Sequence, residues 1–299
     1  MTYRFSILKA ALCVILSSVW LLSCEETEET LTLHNDSPAT AEITDEVREQ
    51  FLSLGFDPSD LAVSGGNYLV EEDIIISPET FAHMVSSVAT TDHPQTEQFR
   101  TNYIVDSRYK RITVRILNES GQVGKSAERR LDKALGWVVD NYNALGLRFT
   151  LKQTSSRDES ATITIRIVPE PKLSNLGQAA FPKARIETGS KGRPRVYYAP
   201  WGGISIAERA LTGNYTTNFI EHLVAHEIGH CMGMRHSDWF DRTISCGAGK
   251  RPESSGSAGA ILIPDTKNKD LKSVMNACIP SGTNGEFSKL DKVAWRKVY

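Results

Sequence analysis

The sequence predicts an α+β fold, a mixed twisted sheet with helices behind a small N-terminal module, and three observations lead there. Ile112-Thr113-Val114-Arg115-Ile116 alternates apolar and polar residues at period two, as a half-buried strand does. Leu131, Leu135, Val138, Val139, Tyr142 and Leu145 recur at three-and-four spacing between Ser126 and Leu145, as on an amphipathic helix. From residue 96 onward strand-like and helix-like stretches alternate, so an α/β description stays open beside α+β.

In chain order, residues 1–23 read as an export signal. Arg4 and Lys9 precede an apolar run from Ala10 to Leu22. At about 1.5 Å per residue that run is too short for a hydrocarbon core of about 30 Å. It ends in Leu21-Leu22-Ser23-Cys24, which resembles the lipobox of bacterial lipoproteins and implies a lipidated Cys24 that attaches the chain to a membrane. A plain secretory signal with a chance cysteine is the other reading. Glu25, Glu26, Glu28 and Glu29 follow, and their mutual repulsion opposes folding and holds the chain off an anionic surface. This resembles the acidic export tether of surface lipoproteins and implies an outer-membrane, cell-surface location. Residues 24–44 are thus read as a flexible tether, 45–95 as a small N-terminal module and 96–299 as the main domain.

Within the module, Asp45 to Leu54 reads as a short helix stopped at Gly55. Asn67 to Val70 and Asp73 to Ile76 read as strands, and Ser77-Pro78-Glu79-Thr80 opens another helix. Further on, Leu147 to Leu151, Ala161 to Val168 and Arg195 to Ala199 read as strands. Thr217 to Met232 reads as a second long helix and Ser288 to Tyr299 as a closing one. Little regular structure is expected from Ser237 to Thr283. The 34 basic and 36 acidic residues leave a net charge of −2 with no basic stripe, which argues against a nucleic-acid partner.

The chemistry lies in His226-Glu227-Ile228-Gly229-His230-Cys231-Met232-Gly233-Met234-Arg235-His236. Residues four apart share a helix face, so His226 and His230 can present two imidazoles to one zinc ion. Glu227, about 100° round the helix, can reach a water beside that ion and act as general base. Gly233 permits a left-handed stop that brings His236 back as the third ligand. Three protein ligands leave a position open to water, as catalytic rather than structural zinc sites do. Random placement of this chain's residues gives that extended string in roughly two of 100,000 cases. A helix with surface histidines is the bland alternative. The reaction expected is hydrolysis of a peptide bond, with Glu227 carrying the proton from water to the leaving amine.

A histidine after the glycine, rather than a glutamate on a later helix, is the metzincin pattern, and that class needs a methionine in a tight turn beneath the metal. Ser273-Val274-Met275-Asn276-Ala277 is the candidate Met-turn, whereas Met84 is read as core. His226 to Cys231 with Arg235-His236-Ser237-Asp238-Trp239 resembles the dual-action HEIGH metallopeptidases. Tyr68-Leu69-Val70-Glu71-Glu72-Asp73-Ile74, Gln98-Phe99-Arg100-Thr101-Asn102 and the stretch from Leu290-Asp291 to Tyr299 are similar to further parts of that family. The resemblance implies a metzincin-like catalytic domain with a mixed twisted sheet, active-site helix, Met-turn and C-terminal helix. It also implies a secreted or surface-attached endopeptidase with one catalytic zinc and a protein or peptide substrate. Some metzincins place a tyrosine just after the turn methionine; Asn276 and Ala277 stand there instead.

Several further residues carry expectations. Ala179-Ala180-Phe181-Pro182 or the strand Arg195 to Ala199 could offer an edge to an extended substrate, or be an ordinary loop and strand. Asp238 is a candidate to orient a ligand histidine or the helix end, or is only a turn residue. Cys246 and Cys278 flank the irregular segment and are the expected disulfide, with Cys231 buried and reduced. His222, one turn before His226, is read as a helix-surface histidine. Calcium stays possible but is not indicated, since no EF-hand loop is present. Glu71-Glu72-Asp73-Ile74 is faintly similar to the segment of astacin-type zymogens in which a carboxylate takes the water's place at zinc. Glu72 stands where that pattern has glycine, so the sequence favours a solvated acidic turn. The reading that competes with an enzyme is a surface lipoprotein that binds proteins or glycans and keeps the zinc helix as scaffold. Glu227, which a scaffold does not need, favours the enzyme.

Overall fold

The Thr44 side chain accepts from the Val47 amide at 3.1 Å and so starts α1 (Asp45–Ser53). The computed structural model describes residues 40–299 other than 55, 87–97, 119–122, 170–174, 190–191, 248–259 and 267–268. The signal segment, Cys24, most of the tether and the Gly55 helix stop lie outside the described residues.

After a single 3-10 turn (Pro58–Asp60) the chain forms β1 (Ala62–Ser64), β2 (Asn67–Val70) and β3 (Ile74–Ile76), then α2 (Pro78–Ser86). Phe51, Phe56, Tyr68, Ile76, Phe81 and Met84 join in one apolar cluster, with the Phe51 and Phe81 rings stacked at 4.3 Å. Tyr103 and Phe181, from later in the chain, belong to the same cluster. Burying aromatic side chains of this size is the main gain that orders so short a segment.

The chain continues through β4 (Phe99–Arg100), β5 (Arg111–Leu117), α3 (Lys125–Ala144), β6 (Thr150–Gln153), β7 (Ile163–Val168) and β8 (Gly177–Ala180). It then forms β9 (Lys183–Thr188), β10 (Pro194–Ala199), β11 (Gly203–Ala207), α4 (Glu208–Thr212), α5 (Thr217–Met232), α6 (Thr243–Cys246), β12 (Ile261–Leu262) and α7 (Lys289–Val298).

Among the described residues eight strands form one mixed sheet in the order β1-β2-β3-β8-β11-β7-β5-β6. β6, β5, β7 and β11 run parallel, and β8 returns antiparallel to β11. The alternation read in β5 buries Ile112, Val114 and Ile116 against the inner face of α3. On α3, Leu131, Leu135, Val138 and Tyr142 are buried, while Val139, on the same predicted stripe, is only partly so. The Tyr142 hydroxyl donates to the Ala225 carbonyl at 2.9 Å, which fixes α3 against α5.

The fold is therefore α+β with a mixed sheet, and Ala39–Tyr299 is one compact unit. No helix among the described residues is long and apolar enough to cross a membrane. The strand expected at Leu147 to Leu151 begins later, at Thr150, because Phe149 turns into the core before the parallel pairing with β5 starts.

Candidate metal centre

α5 begins where the Thr216 side chain accepts from the Phe219 amide at 3.1 Å, and it ends at Gly233 with φ 98°. That left-handed residue lets the Met234 amide bond back to the Gly229 carbonyl at 2.9 Å. A Cβ on Gly233 would also collide with the Tyr103 carbonyl. The Arg235 amide then bonds the Phe99 carbonyl at 3.0 Å, which turns His236 back beside the helix.

His226, His230 and His236 converge, all of them buried. The Nδ1 of His226 donates to the Val274 carbonyl at 2.8 Å and that of His230 to the Met234 carbonyl at 3.0 Å. With Nδ1 of each ring committed to a carbonyl, Nε2 is the atom each ring offers to a metal, and the two Nε2 atoms lie 2.9 Å apart. Burial, then the neighbouring His226, lowers the His230 pKa to about 4, so this ring is kept as a neutral donor.

The fourth member of the group is Asp73, which the acidic-turn reading had placed in solvent. Its Oδ2 lies 3.2 Å from Nε2 of His226 and 3.2 Å from Nε2 of His236, and 3.9 Å from Nε2 of His230. The ligand atoms of all four residues lie within 4.8 Å of one another. Burial would raise the Asp73 carboxyl, but His236 and the close approach of the other two imidazoles hold it well below the usual carboxylate range. Three imidazole nitrogens and one carboxylate oxygen are a donor set that zinc accepts in tetrahedral sites. A single zinc ion fits this cluster.

Turn geometry explains why the sequence misplaces Asp73. Glu71 and Glu72 themselves take the left-handed conformation expected of glycine, at φ 56° and 73°. Glu71 is held there by Arg235, whose Nη2 lies 3.3 Å from Glu71 Oε1 with both side chains fully buried. The Arg235 guanidinium also sits over the Phe56 ring at 4.9 Å.

Glu227 is buried on the same helix, facing Gly177 of β8 so closely that a Cβ there would overlap its Oε1. Burial pushes its carboxyl well above the ordinary range, the Asp73 charge adds to this, and His236 opposes it. A cavity of about 540 Å³ opens beside it, lined among others by Glu72, Leu176, Leu223, Arg242 and Ile279.

The remaining predicted residues surround this centre. Met275 is buried with its sulfur against Gly229, which lies between the two helix ligands, and its carbonyl accepts from the Ser237 amide at 2.8 Å. Asp238 accepts from the Ala277 amide at 2.9 Å and the Ser245 hydroxyl at 2.5 Å, tying the loop after His236 to the Met275 segment. Cys246 and Cys278 are joined in a disulfide, and Cys231 is buried and free.

Further sequence readings are corrected. His222 is not on the surface: it is buried, with Nδ1 2.8 Å from the Thr283 hydroxyl, because the irregular segment before α7 packs over this face of α5. Burial, then His226, takes its pKa down to about 3, so it is neutral. The stretch at Ala179–Ala180 is no free edge, since β3 covers it in parallel. The strand read at Arg195 to Ala199 is present as β10, paired with β9 in a separate two-stranded ribbon.

Asp291 escaped the sequence reading. It accepts from the Ser273 hydroxyl at 2.7 Å, the Val274 amide at 2.9 Å and the Ser288 amide at 2.9 Å, so α7 holds the segment that orients His226. Besides the family-like stretch that begins at Leu290-Asp291, the hint in the sequence was the helix-start pattern at Ser288, where Asp291 completes a capping box.

No curated protein matches this chain. Among solved structures, one titled "Structure of Myroilysin" aligns with 64% of this chain and 80% of its own, at 13% identity and a TM-score of 0.35. Residues 68–299, which include all four metal-site residues and Glu227, match the family described as dual-action HEIGH metallo-peptidase. Its histidine string thus stands in the helix, turn and return that bring three imidazoles to one point, and the chain belongs to that family of peptidases, as a zinc metalloendopeptidase.

Proposed function

We propose that the protein is an exported, lipid-anchored zinc endopeptidase of metzincin architecture, acting on proteins or peptides at the outer surface of a bacterial outer membrane. The observation that carries the catalytic part is the pair of Nε2 atoms of His226 and His230, pre-set by their Nδ1 bonds, with the Glu227 carboxylate on the same helix. Bound zinc supplies a Lewis acid for water and for the scissile carbonyl.

The other steps belong to the chain's own groups. Glu227 takes the proton of the attacking water and hands it to the departing amine nitrogen, a task suited to a carboxylate whose pKa is raised by burial. Gly177 leaves room for Glu227 and limits where it can swing. Met275 serves as the Met-turn residue, filling the space beneath the helix ligands, and Asp238 steadies the loop that carries His236. The division into residues 24–44 as tether, 45–95 as a small N-terminal module and candidate propeptide, and 96–299 as the catalytic domain belongs to the same proposal. Export and anchoring are supported by the basic start, the apolar run and Leu21-Leu22-Ser23-Cys24.

The test compares the full chain carrying Asp73→Ala with the same chain also carrying Glu227→Gln. New termini in an unfolded protein substrate, read by mass spectrometry and abolished by chelator, are expected from the first alone. Equal cleavage by both would remove Glu227 from the mechanism. Palmitate labelling of expressed wild type, lost in Cys24→Ser, checks the anchor.

A further inference from the structure

Two features near the metal centre come from one short segment. Asp73 brings its carboxylate to the three histidines, and the residues directly after it form β3. β3 pairs in parallel with β8, Ile74 opposite Ala179 and Ile75 opposite Ala180. The Ala179 amide donates to the Asp73 carbonyl at 3.0 Å. On its other side β8 is already paired with β11. Without β3, β8 would be the outer strand of the sheet immediately beside Glu227, its amides and carbonyls open to an extended peptide. With β3 in place those groups are taken.

Three contacts hold the segment there. Glu71 pairs with Arg235, the residue before ligand His236, deep inside the protein. Glu72 approaches buried Arg242 at 4.0 Å on the wall of the cavity. Phe181, just past β8, has its ring 5.8 Å from the His230 ring and packs in the cluster built mainly by α1, β2, β3 and α2. Glu71 and Glu72 keep left-handed backbone conformations that side chains other than glycine adopt only when their surroundings hold them.

We propose that the chain folds in a self-inhibited state, in which the turn Glu71–Asp73 and β3 act as an internal inhibitor. Asp73 fills the coordination position a substrate or water would need, β3 fills the strand position a peptide would need, and activity begins when the segment withdraws. This deepens the peptidase reading above and rests on it for the word activity, though the shielding of the centre stands on its own geometry. Withdrawal exposes Phe181 and the β8 edge together, so metal access and peptide docking are switched by one movement.

The test uses the full chain with cobalt(II) in place of zinc and follows the visible spectrum as acetohydroxamate, a bidentate metal ligand, is added. Wild type, Asp73→Ala and Asp73→Asn are compared, the asparagine variant preserving side-chain volume and strand pairing. Each is expected to hold one metal per chain. With the open state at about 0.1–10% of the wild-type population, both variants should bind acetohydroxamate at about 10- to 1,000-fold lower concentration than wild type. Equal titration of all three overturns the proposal. So does loss of the metal from both variants while they remain folded by circular dichroism, which would make Asp73 a permanent ligand. Tight hydroxamate binding without peptide cleavage by an Asp73→Ala chain that also carries Ile75→Pro, which breaks the β3–β8 pairing and frees the strand edge, upholds the shielded centre and sinks the peptidase reading instead.

Discussion

The Nδ1 of His226 is bonded to the carbonyl oxygen of Val274 at 2.8 Å, across 48 residues of sequence. The next residue, Met275, packs its sulfur against Gly229, so the metal-binding helix rests on a short segment that touches both its ligand and its backbone. That segment is in turn fastened to α7 through Asp291.

Replacing Asp291 with alanine removes the acceptor for three buried or partly buried donors. At about 1–3 kcal/mol for each orphaned donor, a loss of about 3 kcal/mol or more is expected, lowering Tm by roughly 6–12 °C. Loosening Val274 should also weaken metal affinity by about 10- to 100-fold, read by competition with a chromophoric chelator. Unchanged affinity in a destabilised variant would show that the Val274 carbonyl does not orient His226.

Gly177→Ala places a methyl group where Glu227 Oε1 and the Leu223 Cδ1 now lie. In the Asp73→Ala chain this should cut peptide cleavage by about 100-fold, the cost of displacing a reacting group by about 1 Å. Metal content should stay at one per chain. Full activity would mean that Glu227 reaches its working position from elsewhere.

Glu221, next to His222 on α5, sets a pH dependence. Its pKa is raised to about 7, first by burial and then by the Glu286 charge, while the Asn141 amide at 2.8 Å opposes the shift. The folded carboxyl therefore titrates above the unfolded one, near 4.3. Its contribution to stability is complete below about pH 4.3 and is lost as pH rises through about 7. Glu221→Gln keeps an acceptor for Asn141 and cannot ionise. Its Tm relative to wild type should rise between about pH 5 and about pH 8.5. A constant difference across that range would refute the assignment.

The Cys246–Cys278 disulfide spans 32 residues. Loop-closure entropy for that length corresponds to about 3–4 kcal/mol, so the double variant Cys246→Ser, Cys278→Ser should melt roughly 6–16 °C lower. Since Asp238 bonds both Ala277 and Ser245 beside the bridge, part of the register of this loop should survive without it. Retained metal stoichiometry in the double variant would show that; loss of metal would assign the loop's shape to the bridge alone.

The parts of this protein legible in its sequence are those set by neighbours along the chain. The histidine spacing of α5 and its stop at Gly233 are local, and so is the alternation in β5. β8 was missed as a strand because Gly177-Gln178-Ala179-Ala180 is buried throughout and shows no alternation. Its strand character comes from partners on both sides, β3 and β11. His222 was misread for a related cause: α5 is enclosed on nearly every face, so helical spacing no longer separates inside from outside. Asp73 lies 153 residues before His226, and glutamates rather than glycine occupy the turn that aims it. Partners set by the fold, the buried Arg235 and the Asp57 amide on Glu71 among them, make that turn tenable.

Cys231 offers a practical consequence. It sits between ligand His230 and the end of α5, wholly enclosed, and burial pushes its thiol far above the ordinary range. A thiolate-seeking reagent therefore finds nothing to attack in the closed protein. Alkylation of the Cys231 peptide under native conditions becomes a stopwatch for opening of the core beneath the metal. Run with and without zinc, it times how long the ion keeps that core shut.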